Sequence, residues 1–158
     1  MTGTIERRLA ELGIVLPEPS RPRASYLSYV VTGNLVYVSG QLSDRKGKVG
    51  SDLSVDEGYQ AARHCAINLL PHLKSACNGD LDRVVRCVEI GGFVNSAPNF
   101  YDHPKVLNGA SDLLFEVFGE AGRHTRFAVG VAAIPFNHAV EVKGVFEVSG
   151  ASKGRTSR

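Results

Sequence analysis

The clearest pattern of hydrophobic and polar positions lies near the carboxyl end of the chain. Two stretches, 126–134 and 139–148, carry apolar residues at every second position, and a short loop containing Pro135 separates them. Alternation with a period of two is typical of β-strands that have two unlike faces. The short loop predicts that the two strands form an antiparallel hairpin in which Ile134 pairs with Ala139.

The side chains of this predicted hairpin separate into an apolar face and a mixed face, because directly opposed residues of an antiparallel pair share a face. The pairs on the mixed face are Ala132 with Glu141, Gly130 with Lys143, and Arg126 with Glu147. Small side chains beside charged ones leave a hollow, and a hollow lined by Arg126 and Glu141 could hold a small anionic ligand. The same pattern also fits an ordinary sheet face whose ion pairs contribute little energy.

Three further strands are predicted earlier in the chain. Stretches 26–31 and 35–40 are rich in Val and Tyr, and Gly33 and Asn34 between them suit a tight turn because both residues accept positive φ. The third strand, 85–94, is rich in β-branched residues.

Two amphipathic helices are predicted from apolar residues that recur every three or four positions. The first begins at Ser54, whose spacing to Glu57 is that of a capping box, and its apolar stripe continues to Ala76. Pro71 lies inside this stripe and is expected to bend the helix or to end its regular part. The second helix is predicted at 104–118.

After a short amino-terminal helix at 4–12, the predicted order is β-β-α-β-α-β-β. Two amphipathic helices can cover one face of a single mixed sheet, which gives an α+β domain of two layers. The hairpin pattern predicts that the uncovered face carries Ala, Gly and charged residues rather than a second core. We therefore expect a partner subunit to pack there and to form clefts between chains.

Composition and charge indicate an ordinary globular domain. The chain has 158 residues, 43% of them hydrophobic and 22% charged, so one domain is expected. The net charge of +2 owes much to a basic tail and does not predict a nucleic-acid partner. The sequence shows neither a signal-peptide core nor an apolar run of membrane-spanning length, so we expect a cytoplasmic protein without a membrane partner.

Cysteine and histidine spacing gives no sign of a metal site. Cys65, Cys77 and Cys87 are odd in number and have no CxxC spacing, which favours buried, reduced thiols. No motif such as HExxH is present, so no metal is expected.

Two segments of the sequence are similar to a known family. They are GNLVYVSGQ at 33–41 and RFAVGVAAIP at 126–135, the latter followed by AVEV at 139–142. With the helix from Ser54, they resemble the YjgF-type reactive-intermediate deaminase (Rid) family, some members of which are labelled endoribonuclease L-PSP or translation inhibitor. On this basis we divide the chain into a short helix with a Pro-rich connector (1–23), a Rid/YjgF-like domain (24–149) and a disordered basic tail (150–158).

The resemblance implies a chorismate-mutase-like fold and a homotrimer with a barrel-like core and ligand clefts between neighbouring subunits. Archetypal members hydrolyse the enamine and imine forms of 2-amino acids, such as 2-aminoacrylate and 2-iminobutanoate, to 2-keto acids and ammonia. The implied ligand is a small carboxylate, and no cofactor is implied.

Position by position, the resemblance also implies residue roles. Arg126 would grip the substrate carboxylate, and Glu141 would position the attacking water. Four other positions match substrate-binding residues: Tyr26 as a cleft tyrosine, Gly40 as a backbone contact, Asn108 as a polar wall residue, and Ala128 through its backbone carbonyl. Gly130 stands where typical deaminases carry glutamate, and the amino-terminal segment resembles that of a longer subgroup.

Two other functions are compatible with the sequence. A non-catalytic protein that binds or senses small carboxylate metabolites would use Arg126 without needing Glu141. An endoribonuclease would need a general acid and base beside a phosphate site. His103, His124 and His138 are the candidates, but they share no motif, and each alone is expected to be a loop or surface residue.

Overall fold

Five strands form one sheet in the structure, a computed structural model that describes residues 2–150. The strands are β1 Tyr29–Thr32, β2 Leu35–Leu42, β3 Val84–Asn95, β4 Thr125–Val131 and β5 Val140–Val148, and the helices are α1 Thr4–Glu11, α2 Val55–Ala76 and α3 His103–Phe118. The strand order is β1-β2-β5-β3-β4, with β3 and β4 parallel and the other pairs antiparallel. The predicted α+β fold, a mixed sheet with the order β-β-α-β-α-β-β, is therefore confirmed.

The predicted hairpin between the last two strands is wrong. β3 lies between β4 and β5, pairing with β4 on one side and with β5 on the other. The physical reason is the helix α3 that joins β3 to β4. A crossover helix carries the chain back over the sheet, so the strand that follows it lies parallel to the strand before it. The register proposed for the mixed face is consequently not formed.

The two long helices cover one face of the sheet. Ser54 caps α2 as predicted: its hydroxyl accepts from the Glu57 amide at 3.1 Å, and the Glu57 carboxylate accepts from the Ser54 amide at 2.8 Å. The helix continues five residues beyond Pro71, so this proline does not end it. Both helices bury their apolar stripes against alternate residues of β5 and β3, among them Val142, Phe146 and Ile90, which are fully buried.

The amino-terminal helix α1 packs on the same core. Leu9 is only 3% exposed, and the carboxylate of Asp82 accepts from the Thr4 and Ile5 amides, both at 2.8 Å. Asp82 thus satisfies amide groups that a helix start otherwise leaves without partners. The proposed division at residue 23 stays a prediction, and the predicted disordered tail lies, from residue 151 on, outside the described residues. None of the helices formed by residues 2–150 has the length and apolar character needed to cross a membrane.

The face of the sheet turned away from the helices, here called the open face, is more apolar than predicted. It carries the side chains that alternate with the buried ones: Tyr37, Phe93, Phe127 and Val129, together with Glu141 and Lys143. Phe127 packs over Gly91, with its ring centroid 5.5 Å from that of Phe93. The prediction of small and charged residues failed because it assigned Arg126 and Ala128, rather than Phe127 and Val129, to this face.

Candidate functional site

Arg126 lies on the helix-covered side of β4, where it faces α3. Its Nη1 donates to Asn108 Oδ1 at 3.0 Å and to Ser111 Oγ at 3.1 Å. Asn108 and Ser111 are three residues apart on α3 and therefore share one face of the helix. Two acceptors on one nitrogen fix the plane of the guanidinium group. Its remaining N–H groups are then presented in a fixed fork that suits a carboxylate.

A chain of hydrogen bonds continues behind Ser111 to His124. His124 Nε2 lies 2.9 Å from Ser111 Oγ, and His124 Nδ1 lies 2.6 Å from the Gly122 carbonyl oxygen. Because a carbonyl can only accept, Nδ1 carries the proton, and in the neutral ring Nε2 accepts from the Ser111 hydroxyl. The Ser111 oxygen is thereby left to accept from Arg126. We call Arg126, Asn108, Ser111 and His124 the Arg126 cluster.

The neutral state of His124 has a physical basis. Burial lowers the pKa of His124 below its ordinary value of 6.5; the hydrogen bond to Gly122 opposes this effect, and the charge of Arg126 adds to it. His124 lies in the loop before β4, as one of the two expectations had it, but it is half-buried and supports Arg126 through Ser111. The sequence held one usable signal, the spacing of Asn108 and Ser111 on a predicted helix.

Ala128 and Gly130 follow Arg126 along the same side of β4. Ala128 is partly buried against the core. At Gly130 the space that a Cβ atom would fill is taken by His103 Nε2 and Ser96 Oγ, which lie 3.1 Å from each other. A glutamate at this position, as in typical deaminases, would collide with both side chains.

Glu141 lies on the open face of β5, between the buried Val140 and Val142. Its carboxylate lies directly against Gly40, where a Cβ atom would leave no room for it. Burial raises the pKa of the Glu141 carboxyl above its ordinary value of 4.5, and the nearby His138 opposes the rise. A half-buried carboxyl with a raised pKa suits general-base chemistry near neutral pH.

A bulge in β2 brings Gly40 to this position. The pairing of β2 with β5 shifts between Val38 and Gln41, which leaves Ser39 and Gly40 outside the regular ladder. Ser39 Oγ donates to the Leu27 carbonyl at 2.6 Å and thereby ties down the segment before β1. Tyr26 lies in that segment and is 57% exposed; the strand predicted from residue 26 begins only at Tyr29, so Tyr26 is outside β1.

The six predicted site residues thus form two groups that lie apart within one chain. Arg126, Asn108 and Ala128 belong to the helix-covered side of the edge strand β4. In contrast, Glu141 on β5 lies on the open face two strands away from β4, Gly40 on β2 lies against it three strands away from β4, and Tyr26 is held near them. A single chain does not bring Arg126 and Glu141 into one site.

The open face also carries an apolar depression. A depression of about 270 Å³ on the open face is lined by Gly40, Lys143, Tyr37 and residues of β1, but neither Arg126 nor Glu141 reaches it. Within residues 2–150, no three His, Cys, Asp or Glu side chains lie close enough to hold a metal ion.

The fold and the buttressed arginine define a class of small α+β proteins with a chorismate-mutase-like sheet. The family model described as "YjgF/chorismate mutase-like, putative endoribonuclease" matches residues 6–148. The chain belongs to this family, as the sequence motifs predicted.

Three relatives support this assignment. Protein TCP17 of Trypanosoma cruzi is 46% identical over 155 residues, which cover 94% of this chain and 96% of that protein. The crystal structure of Atu1372 from Agrobacterium tumefaciens, a protein of unknown function, is 45% identical with a TM-score of 0.86 and covers 91% of this chain and 92% of that one. The crystal structure of a "putative endoribonuclease" from Shewanella oneidensis MR-1 is 37% identical with a TM-score of 0.88. The match covers 92% of this chain and 100% of that one.

Proposed function

We propose that this protein hydrolyses reactive enamine and imine forms of 2-amino acids to 2-keto acids and ammonia. The observation that carries the proposal is the pair of half-sites: a buttressed arginine that fits a carboxylate, and a half-buried glutamate with a raised pKa. These are the two groups that the reaction requires, and both lie at positions matching the family motif.

The proposed reaction needs two main contributions from the protein, substrate binding and proton transfer. Arg126 holds the substrate carboxylate, which fixes the adjacent imine carbon in the cleft. Glu141 orients a water and accepts a proton from it while the water oxygen bonds to the imine carbon. As the C–O bond forms, the C=N double bond becomes single and its nitrogen takes up a proton. The carbinolamine then takes up a second proton on nitrogen, the C–N bond breaks to release ammonia, and the hydroxyl group loses its proton to leave the keto acid. Asn108 and the Ala128 carbonyl border the amino group, and Tyr26 and Gly40 border the water.

The two half-sites would meet only between chains. We infer a homotrimer in which the open face of each chain packs against its neighbour, so that Arg126 of one chain faces Glu141 of the next. The exposed apolar side chains of the open face, Tyr37 and Val129 at 44% each and Phe127 at 39%, support such packing. We also infer a cytoplasmic location, because Cys65, Cys77 and Cys87 are buried as free thiols.

RNA cleavage has less support from the geometry. The three candidate histidines do not converge: His103 lies beside Ser96, His124 beside Ser111, and His138 donates from Nδ1 to the Ser43 carbonyl. An imidazole pair that acts on one phosphate must lie within reach of it. Non-catalytic carboxylate binding needs only the Arg126 cluster and is decided by the assay below.

Turnover of 2-iminobutanoate, generated in situ by a dehydratase, tests the reaction. The wild type should accelerate loss of the imine over buffer. Arg126→Ala should lower kcat/KM about a hundredfold, because two charge-assisted hydrogen bonds are lost. Arg123→Ala is the matched control, since Arg123 is exposed and paired with Glu120 at 3.2 Å. If the wild type binds butanoate but does not accelerate imine loss, the protein is a carboxylate-binding protein and not a deaminase.

Subunit mixing tests where the site lies. Arg126→Ala and Glu141→Gln chains, each inactive alone, are unfolded together in equal amounts and refolded. Every mixed trimer then contains one cleft with both residues intact, so activity should recover to roughly a quarter of the wild-type value. Mixtures that stay inactive, although Arg123→Ala chains refold to full activity under the same protocol, would place Arg126 and Glu141 in separate sites.

A further inference from the structure

A donor pair occupies the position that is glutamate in typical deaminases. Gly130 has no side chain, and the imidazole of His103 and the hydroxyl of Ser96 fill the vacated space. The His103 ring is held at its edge by Phe100, with ring centroids 5.2 Å apart and planes at 87°. The place where a carboxylate would be expected therefore holds a hydrogen-bonded pair, in which one donor is used between the two side chains and at least one is left for a ligand.

On the helix-covered side of β4, small residues lead from Arg126 toward this pair. On one side of the guanidinium, Ser111 and His124 fill the space with a closed chain of hydrogen bonds. On the other side lie Ala128 and Gly130, the smallest side chains on this side of β4. The Cα atoms of residues 126 and 130 are about 13 Å apart in a strand. We therefore expect a ligand with a second polar end to reach farther from Arg126 toward this pair than a short ligand does.

The charges at this end of β4 favour an acidic group. Lys48 Nζ donates to the carbonyl of Ala132, just past Gly130, and to Asn95 Oδ1 at 2.8 Å. The carboxylate of Asp102 is also near, next to His103 in sequence, but it is half-exposed and lies 3.4 Å from Lys105 Nζ. Position 130 thus carries no carboxylate, and a pair of hydrogen-bonding side chains and a lysine lie near this end of β4.

We propose that the cleft selects 2-imino acids whose side chain ends in a second carboxylate, held by His103 and Ser96 over Gly130. The proposal rests on the proposed function for the reaction, whereas the selection itself concerns binding and can be measured without turnover. His103 acts here on the distal end of the ligand and not on the reacting carbon.

Calorimetric binding of glutarate and butanoate tests the selection directly. The wild type should bind glutarate about tenfold more tightly than butanoate, which corresponds to about 1.4 kcal/mol. His103→Phe keeps an aromatic ring against Phe100 but removes the donor, and it should abolish most of the preference. His103→Gln keeps a donor and should retain part of it. His64→Phe, a half-exposed histidine on α2, is the matched control and should change nothing.

Equal affinities for the two acids in the wild type, or an unchanged ratio in His103→Phe, would overturn the selection. Ser96→Ala gives an independent reading if His103→Phe does not fold, and it should reduce the preference about threefold. Turnover of imines made by an oxidase from glutamate and from 2-aminobutanoate completes the test. Failure of both imines to react, with the glutarate preference intact, would refute the deaminase while leaving the ligand class standing.

Discussion

The two half-sites are built in opposite ways. The Arg126 cluster is complete within one chain: α3 supplies both acceptors for the guanidinium, and His124 in the loop before β4 supports one of them. Glu141 instead owes its properties to partial burial: a bulge brings Gly40 against it, and burial raises its pKa. One half is organised by hydrogen bonds and the other by desolvation.

This difference suggests that one half-site binds the anion and the other transfers the proton. A group that binds an anion must stay charged and stationary, which several fixed acceptors ensure. A carboxylate that takes a proton near neutral pH needs a raised pKa, and partial burial raises the pKa of a carboxyl. In the proposed assembly, the neighbouring chain would complete the second half-site and leave the first almost untouched.

Val129→Asp should have the largest effect, because it places a charge on the open face, which the proposed assembly buries. Val129 lies in one row with Phe93 and Glu141, and a charge there cannot be buried against a neighbouring chain at an acceptable cost. The variant should sediment as a monomer and lose turnover. Val15→Asp is the matched control, since Val15 is 90% exposed on the amino-terminal connector and should leave the assembly intact. An assembled Val129→Asp protein would show that the open face is not the interface.

Ser111→Ala should have an intermediate effect, confined to the Arg126 cluster. It removes one acceptor from Arg126 and the donor to His124, so affinity for butanoate should fall about threefold to tenfold while the chain stays assembled. His124→Phe should not add its full effect to that of Ser111→Ala, because both act through one hydrogen-bond chain. Ser75→Ala on α2, whose hydroxyl donates to the Pro71 carbonyl, is the control. Fully additive losses would mean that His124 does not act through Ser111.

Glu141→Gln should have the smallest effect, a gain in stability best measured in chains kept monomeric by Val129→Asp. Because burial raises the pKa of Glu141, the folded chain binds this proton more tightly than the unfolded chain does. The stabilisation that comes from proton binding to folded Glu141 is fully present below its unfolded-state pKa of about 4.5. It is lost as the pH rises through the folded-state pKa.

Glu141→Gln should therefore raise Tm at pH 7 by roughly 1–2 °C. The value is small because Glu141 is only half-buried and water screens its charge. The difference between the two chains should vanish below about pH 4.5. Glu147→Gln, on the same strand and face, should show no such gain. An equal gain in both variants would point to general charge reduction rather than to burial of Glu141.

Much of the fold was predictable from local pattern. The capping box at Ser54, the tight turn at Gly33 and the alternation in the carboxyl-terminal strands each depend on near neighbours, and each forms as predicted. The site residues Arg126 and Glu141 could be named from motif alone. Their supports could not, because Ser111 and His124 matter only through contacts across the fold.

The pairing of strands was beyond the reach of local pattern. Periodicity of two marks the faces of a strand but does not say which strand lies beside it. Here the crossover through α3 set β4 parallel to β3 and separated it from β5, which moved Arg126 and Glu141 to opposite sides of the sheet. The sequence by itself determined the elements, their apolar faces and the chemical groups available. Only the tertiary structure decided which groups meet, because hydrogen bonds and burial between distant segments depend on how the whole chain packs.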